Sequence, residues 1–352
     1  MGVWMISYEL VESVEELRSL EGAWTALQEQ AQHTPFQDWA WHHSWWKHLG
    51  AVKGQRQFIM TAWESSRLKL ILPLAISKNG DELQWSAGEV SDYCDAVVAR
   101  EDVWLIPQAV DRSLSKFSGA RLKMKQVRRD SLAYGELSKM KKHLEHDDFV
   151  CPVVHVDPQG YDSWMSSVDR KAAGEANRRM RRLKEAGEVS LRVSSGVDEI
   201  QASVTQLITD KKEWLIRRGA NNILCTDAGI YFLNEALICM EINKHVHVTS
   251  LKCDDVTIAN QISFIHGERY YYYFGAWNLS WKNFSPGKLH MLLLVKYAHE
   301  NGFKEFDMLR GAEEYKDAFS SSTNTLIELD FERAGVYAFL KSVAGNIKRS
   351  IG

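Results

Sequence analysis

The sequence has few cysteines and no long apolar run, and these absences exclude whole classes of protein. Five cysteines occur among 352 residues, an odd number without Cys-x-x-Cys spacing, which argues against a disulfide framework or a structural zinc site. No apolar stretch approaches the roughly 20 residues that a membrane-spanning helix needs. The amino terminus shows no basic segment followed by an apolar core, so no signal peptide is visible. We therefore expect a reducing compartment, the cytoplasm.

The chain also lacks an excess of charge. Its formal net charge of -3 and pI near 6.5 argue against a surface built entirely for nucleic acid. A hydrophobic content of 45% and a charged content of 25% are those of a globular protein and exclude a disordered chain. A length of 352 residues favours two domains over one. Dense turn-forming residues at 157–160 predict the boundary, giving domains 1–156 and 157–352.

The most informative stretch runs from Tyr270 to Asp317. A strand-forming run, Tyr270–Phe274, is followed by a Ser-Pro-Gly-Lys turn at 285–288 and an apolar helix at 289–299. A second strand is predicted over 303–309. Because strand, helix and strand in this order form a crossover unit, ligands are expected at the carboxyl ends of the two strands.

The turn between strand and helix has the properties of a phosphate site. Pro286 fixes its own φ, Gly287 allows the backbone to approach a ligand closely, and the first amide N–H groups of a helix lack intrahelical acceptors. We predict that Ser285, Pro286, Gly287 and Lys288 hold a pyrophosphate, while backbone groups near Tyr273 bind the arm of the same donor. The alternative is an ordinary Pro-Gly turn at the start of a buried helix.

The run SPGKLHMLLLVKYAHENGFKEFDMLRGAEEYKDAF resembles the acetyltransferase family that includes the cellulose-biosynthesis protein CelD, within the GNAT superfamily. It is similar, more distantly, to the Fem peptidoglycan aminoacyltransferases, which carry two GNAT-like halves. The matching positions are Ser285, Pro286, Gly287, Asp307, Arg310, Gly311, Tyr315 and Lys316.

The resemblance implies a mixed α/β (α+β) fold of two tandem GNAT-like domains, each a mostly antiparallel sheet flanked by helices. Ser-Pro-Gly replaces the superfamily's usual Gln/Arg-x-x-Gly-x-Gly/Ala loop, and the first half has no equivalent. We therefore assign the donor site to the second domain and the acceptor side to the first.

The implied reaction is acyl transfer from acyl-CoA, with acetyl-CoA as co-substrate, no tightly bound cofactor and no metal. For direct attack in a ternary complex we predict Asp307 as the base, with His290 as the second candidate. Tyr315 would protonate the leaving thiolate, and Lys316 would stabilise the oxyanion or a phosphate. The alternative for Asp307 is a carboxylate that caps a loop or pairs with Arg310.

Candidate acceptor-binding residues lie in both halves. The segment PFQDWAWHHSWW resembles the start of CelD-like proteins and supplies Phe36, Gln37 and Trp41, although a tryptophan stripe is also typical of a core. Asp92 and Tyr93 either line an acceptor cleft or form a capped loop. Arg178 and Arg182 of a basic helix, with Arg310, either bind an anionic partner or are solvated.

Three hypotheses follow. The leading one is an acyl-CoA-dependent acyltransferase acting on an amine or hydroxyl of a sugar, polysaccharide precursor or cell-envelope metabolite. The second keeps the fold with aminoacyl-tRNA as donor, which is the one reading with a nucleic-acid partner. The third is a non-catalytic accessory protein of polysaccharide synthesis.

A last apolar stripe, between Tyr337 and Ile347, predicts a helix that docks on its own domain, with a membrane surface as the alternative.

Overall fold

The computed structural model describes residues 5–119, 121–141, 143–242, 244–311 and 314–332. It divides into two compact units. The first contains the described residues up to Phe149 together with those from Thr325 onward, and the second is Val150–Asn324. The helix predicted between Tyr337 and Ile347 lies outside the described residues.

The first unit is a sheet with helices. In chain order it contains β1 (Ile6–Val11), α1 (Val14–Ser19), α2 (Glu21–Gln28), α3 (Trp39–Trp45), β2 (Arg56–Glu64), β3 (Arg67–Ile76), β4 (Glu82–Trp85), β5 (Val97–Val98), α4 (Leu105–Lys116), β6 (Arg121–Arg128) and α5 (Leu132–Leu137). A capping box begins α1, where the Glu16 amide donates to Ser13 Oγ at 3.2 Å.

The second unit repeats this plan. β7 (His143–His155) leads into α6 (Tyr161–Ser167), α7 (Arg170–Ala186), β8 (Val189–Val193), α8 (Gly196–Arg218), α9 (Asp227–Glu241), β9 (Val246–Cys253), β10 (Val256–His266), β11 (Arg269–Trp277), α10 (Pro286–Glu300), β12 (Glu305–Asp307) and α11 (Glu314–Phe319), and β13 (Ser322–Glu332) follows. Among these helices none is long and apolar enough to cross a membrane, a finding limited to the described part of the chain.

The two units order their strands alike except at the last position. In the first the order is β1-β2-β3-β4-β6-β13, which follows the chain throughout, and in the second it is β8-β9-β10-β11-β12-β7, which ends on the strand that comes first in the chain. Neighbours are antiparallel except for β4 with β6 and β11 with β12, which are parallel. The predicted fold class, mixed α/β with two tandem domains built on mostly antiparallel sheets, is confirmed.

Residues 325–332 belong to the first unit, whereas the sequence-based division at 156/157 places them in the second domain. β13 pairs with β6, Leu326 opposite Arg128, and Ile327, Leu329 and Phe331 are buried in the core of the first unit. A turn-rich segment indicates a local break in the chain, whereas this pairing joins residues that are far apart in sequence. Local turn chemistry therefore does not reveal where the last strand belongs.

Candidate active site

The candidate site begins where β11 and β12 part. Their parallel pairing covers Arg269 with Glu305, Tyr270 with Phe306 and Tyr271 with Asp307. β12 ends there, but β11 continues to Trp277. Backbone groups at a strand edge are strong hydrogen-bonding groups, so the diverging part of β11 is a suitable surface for an extended ligand.

A β-bulge lies on β11 at the parting point. Ile262 of β10 is opposite Phe274 and Ser263 is opposite Tyr272, which leaves Tyr273 as the extra residue. A bulge re-aims side chains. Tyr273 and Phe274 therefore both lie on the face of Ile262 and Phe264, and the Tyr273 ring is 5.3 Å from that of Phe264.

The opposite face of β11 carries Tyr270 and Tyr272, which pack on Phe306 with ring centroids 5.0 and 5.8 Å apart. Helix α10 covers this face with buried residues that include Met291 and Leu294. The residues of the aromatic run therefore lie on both faces of β11. Tyr270 and Tyr272 pack under α10, whereas Tyr273 and Phe274 lie on the opposite face.

The turn before α10 has the predicted geometry of a helix start. A 3-10 segment, Leu279–Phe284, ends at Ser285, whose φ is +54°, and Pro286 is the first helical residue. The first intrahelical bond runs from the Leu289 amide to the Ser285 carbonyl at 3.2 Å. The amides of Gly287 and Lys288 are therefore left without intrahelical acceptors, as an anion site requires.

Gly287 also has a packing role that the sequence analysis missed. A Cβ at this position would lie 3.1 Å from Cδ1 of the Trp277 ring, closer than ordinary van der Waals contact. The indole of the last residue of β11 therefore covers the start of α10. A side chain at position 287 would displace that indole as well as occupy space near the amides.

Helix α7 places basic side chains beside this turn. Arg179 donates to the carbonyl of Asn283 at 3.0 Å and pairs with Glu175, while the Arg182 guanidinium lies 5.9 Å from the Phe284 ring. The hydrogen bond from Arg179, followed by the charge of Lys288, lowers the pKa of Glu175. Arg178 and Arg182 are exposed. The structure thus places the predicted Arg182 beside the segment before α10, while the predicted Lys288 and Arg178 both act on Glu175 of α7.

Asp307, the predicted base, is enclosed and hydrogen-bonded where β12 ends. Its side chain is 0% exposed, Oδ1 accepts from the Leu309 amide at 2.9 Å, and Oδ2 accepts from Nδ2 of Asn324 at 3.2 Å. Leu309 has a φ of +54°, an unfavourable conformation that the carboxylate helps to hold. The position corresponds to the loop-capping alternative, because a carboxylate that is enclosed and hydrogen-bonded on both oxygens does not present itself to an acceptor.

Lys316 fixes the same loop. It is 3% exposed, and Nζ donates to the carbonyls of Met308 and Arg310, each at 3.0 Å. The ammonium is therefore directed at backbone carbonyls, which differs from the predicted oxyanion or phosphate role. Tyr315 is half-buried, and Nζ of Lys288 lies 5.9 Å from its ring centroid. Tyr315 thus remains next to the predicted phosphate turn.

His290, the second candidate base, lies in the first turn of α10. It is buried, and its Nε2 is 2.9 Å from Thr249 Oγ1. Burial, with a smaller effect of His247, lowers the pKa of His290 to about 3. A base this weak is a poor proton acceptor at neutral pH.

The candidate acceptor residues of the first unit come together in its interior. Phe36 lies 5.6 Å from Trp41 and 6.2 Å from Tyr93, measured between ring centroids. Gln37 donates to the Tyr93 carbonyl at 2.8 Å. Phe36, Gln37, Trp41, Tyr93 and Asp92 are all buried. Their positions therefore match the core alternative, since enclosed side chains offer no wall to an acceptor.

The parallel strands of the first unit part as well, after Gln84 pairs with Lys123. Here the chain itself occupies the edge of β6, because the Cys94 amide donates to the carbonyl of Gln126 at 3.0 Å. Gln126 has a φ of +59°. The loop that carries Asp92 and Tyr93 thus fills the gap beside β6 that opens where β4 and β6 part.

Residues 170–317 match the family model of the acetyltransferase (GNAT) domain. None of the curated proteins matches the sequence significantly. The crystal structure of FemX superposes with a TM-score of 0.59 at 12% identity, covering 95% of this chain and 99% of that one. The carboxyl-terminal domain of a putative lysylphosphatidylglycerol synthetase from Agrobacterium fabrum gives 0.59 at 12% identity, with 94% and 96% covered. L-PGS from Bacillus licheniformis gives 0.57 at 12% identity, with 93% and 95% covered.

These likenesses concern the fold alone, since the identities are low. The family match is to 170–317, the stretch that contains the turn, the basic helix and the loop described above, and the superpositions show that the chain shares the fold of these structures. No group of three metal-ligating side chains occurs among the residues that the structure describes.

Proposed function

We propose that the protein transfers an acyl group, an acetyl group in the simplest case, from acyl-CoA to an amine or hydroxyl. The observation that supports this most is the start of α10. Two backbone amides without intrahelical acceptors lie beside Lys288 and the arginines of α7, within the stretch that matches the GNAT model. Amides at a helix start and guanidinium groups are both strong phosphate ligands.

The donor would lie along the second unit in a definite order. Its phosphates would bind the amides of Gly287 and Lys288, with Arg178 and Arg182 contributing charge. Its extended arm would follow β11 past the Tyr273 bulge, where β12 has ended. The thioester would then reach the parting point of the two strands, which is where the acceptor must meet it.

Transfer would proceed by direct attack. The acceptor nitrogen or oxygen forms a bond to the thioester carbonyl carbon, the carbon–sulfur bond breaks, and the thiolate leaves and takes up a proton. Tyr315 is the proposed donor of that proton, because it is half-buried in α11, the helix that follows the end of β12. Asp307 and Lys316 would act indirectly, by holding the loop that carries Arg310 in place.

The proposed acceptor is a sugar, a polysaccharide precursor or another cell-envelope metabolite, which rests on the resemblance to CelD-like proteins. A second candidate function uses aminoacyl-tRNA as the donor. Exposed Arg178, Arg181 and Arg182 on one helix favour it, because a row of arginines suits a nucleic-acid backbone. The likeness to FemX is consistent with either donor at the level of the fold.

Calorimetry separates the two donors. Acetyl-CoA, CoA and charged tRNA are titrated separately into the full chain at physiological salt, and thiol release is followed with a panel of acyl-CoA esters and amino sugars. Saturable binding of acetyl-CoA with thiol release supports the first function. Binding of charged tRNA without affinity for any CoA thioester would support the second and contradict the first.

A further inference from the structure

Helix α8 carries a buried carboxylate that the proposed function does not use. Asp210 is 6% exposed, and its Oδ1 accepts from Nε2 of Gln206 at 3.2 Å. Its Oδ2 is buried and has no hydrogen-bond partner among the described residues. An unsatisfied buried acceptor is destabilising, so an oxygen of this kind is expected to have a function or a ligand.

Helix α8, which carries Asp210, packs against β11 near the point where β11 and β12 part. The neighbouring Lys211 donates to the carbonyl of Gly275 on β11 at 3.1 Å, and its Nζ lies 5.1 Å from the Phe274 ring. The bulge at Tyr273 turns Phe274 away from α10, so α8 covers the face of β11 opposite the donor helix. Asp210 is therefore next in sequence to a residue that contacts β11 just beyond the parting point, on a helix that covers the face of β11 away from α10.

Other carboxylates and histidines near the parting strands suit a base less well. Asp307 accepts hydrogen bonds on both oxygens. His290 and His247 lie on the α10 face, and burial lowers the pKa of His247 to about 4. Burial raises the pKa of Asp210, an effect that its bond from Gln206 opposes and the charge of Glu213 increases. A carboxylate shifted toward neutral pH is a better general base.

We propose that Asp210 is the general base of the transfer and that the acceptor binds on the α8 face of β11, an inference that rests on the proposed function. Oδ2 takes the proton from the acceptor amine or hydroxyl as its nitrogen or oxygen attacks the thioester carbon. The carbon–sulfur bond breaks and the thiolate leaves. The products are the acylated acceptor and the free thiol, and Asp210 returns its proton to solvent.

The test compares Asp210→Asn with Asp198→Asn, which changes an exposed carboxylate in the first turn of the same helix. Acetyl-CoA is the donor, and glucosamine, glycerol and water are the acceptor probes, with thiol release as the readout. Asp210→Asn is expected to lower kcat by about 100-fold or more while leaving the KM for acetyl-CoA unchanged. The acid limb of the pH profile of kcat/KM should disappear, and Asp210→Glu should restore part of the rate. Asp198→Asn should behave as the parent protein.

Asp210→Asn with kcat within threefold of the parent and an unchanged pH profile would overturn the assignment. So would a parent protein that binds acetyl-CoA by calorimetry but releases thiol with none of the probes. Failure of the parent to bind any acyl-CoA would instead overturn the proposed function. Thermal melting of each variant identifies a loss of rate that comes from unfolding.

Discussion

The two units order their strands alike up to the end of the parallel pair, but the chain that follows β4 in the first unit differs from the chain that follows β11 in the second. In each, a parallel pair of strands holds together over three residue pairs and then parts. In the first unit the loop with Tyr93 and Cys94 fills the edge of β6. In the second, the chain continues β11 through a bulge and enters a helix at Ser285. A duplicated fold therefore supplies two openings, and local sequence decides which one is available to a ligand.

The largest effect on stability is expected in the first unit, where the loop with Tyr93 and Cys94 fills the gap beside β6. Trp41 is 0% exposed and donates to Ser91 Oγ at 2.9 Å, in the loop that leads to Tyr93. Trp41→Ala should lower the free energy of unfolding by about 3–5 kcal/mol, because it leaves a cavity and removes the hydrogen bond to Ser91. Chemical denaturation measures it.

Trp104 provides the matched control, since it is 47% exposed and Trp104→Ala should change stability by less than about 1 kcal/mol. Folded Trp41→Ala should also bind acetyl-CoA as the parent does. If Trp41→Ala instead lost affinity for acetyl-CoA without losing stability, the acyl donor would bind in the first unit and not in the second.

The largest effect on acetyl-CoA binding is expected at the start of α10, in the second unit. Gly287→Trp should weaken acetyl-CoA binding by about 100-fold or more, since the new ring must displace Trp277 and enters the space before the amides. Calorimetry gives the affinity.

Gly22→Trp is the control, because nothing lies within 4 Å of a Cβ at that helical position. It should bind acetyl-CoA normally. Equal affinity of both variants would exclude the start of α10 as the phosphate site.

Acid should destabilise both units through buried histidines. Burial lowers the pKa of His42 in the first unit to about 4, that of His247 in the second to about 4, and that of His290 to about 3. Below the ordinary value of 6.5 the unfolded chain takes up protons that the folded chain does not. Stability is therefore lost as pH falls from 6.5 toward 4, by about 2 kcal/mol for each histidine at pH 5.

Denaturation at pH 7.5 and pH 5 tests this dependence. His290→Asn should reduce the difference between the two pH values, and His146→Asn, at an exposed position, should leave it unchanged. An undiminished difference in His290→Asn would show that His290 is protonated in the folded state.

The smallest expected effect comes from the rim of the open site. Arg182→Ala should weaken acetyl-CoA binding by about three- to tenfold at low salt and less at high salt, since an exposed charge is screened. Lys184→Ala is the control, because it lies on the same helix two residues away and is directed elsewhere. Equal effects of the two variants would indicate general attraction by α7 instead of a defined contact.

The elements of the open site could be predicted from sequence because their signals are local. The strand, the Pro-Gly turn and the apolar helix are consecutive, and periodicity with turn chemistry identifies them. The roles of Asp307 and Lys316 could not, because Asn324 and the carbonyls of Met308 and Arg310 reach them only after folding. The bulge at Tyr273 depends on the register with β10, which a uniform aromatic run does not specify.

Hydrogen exchange with and without acetyl-CoA tests the central claim most directly, because it reports on both openings in one sample. The account predicts slower exchange of amides at 272–290, which include the diverging part of β11 and the start of α10, and no change at 86–98. Protection confined to 86–98, or the absence of protection anywhere at saturating acetyl-CoA, would contradict it.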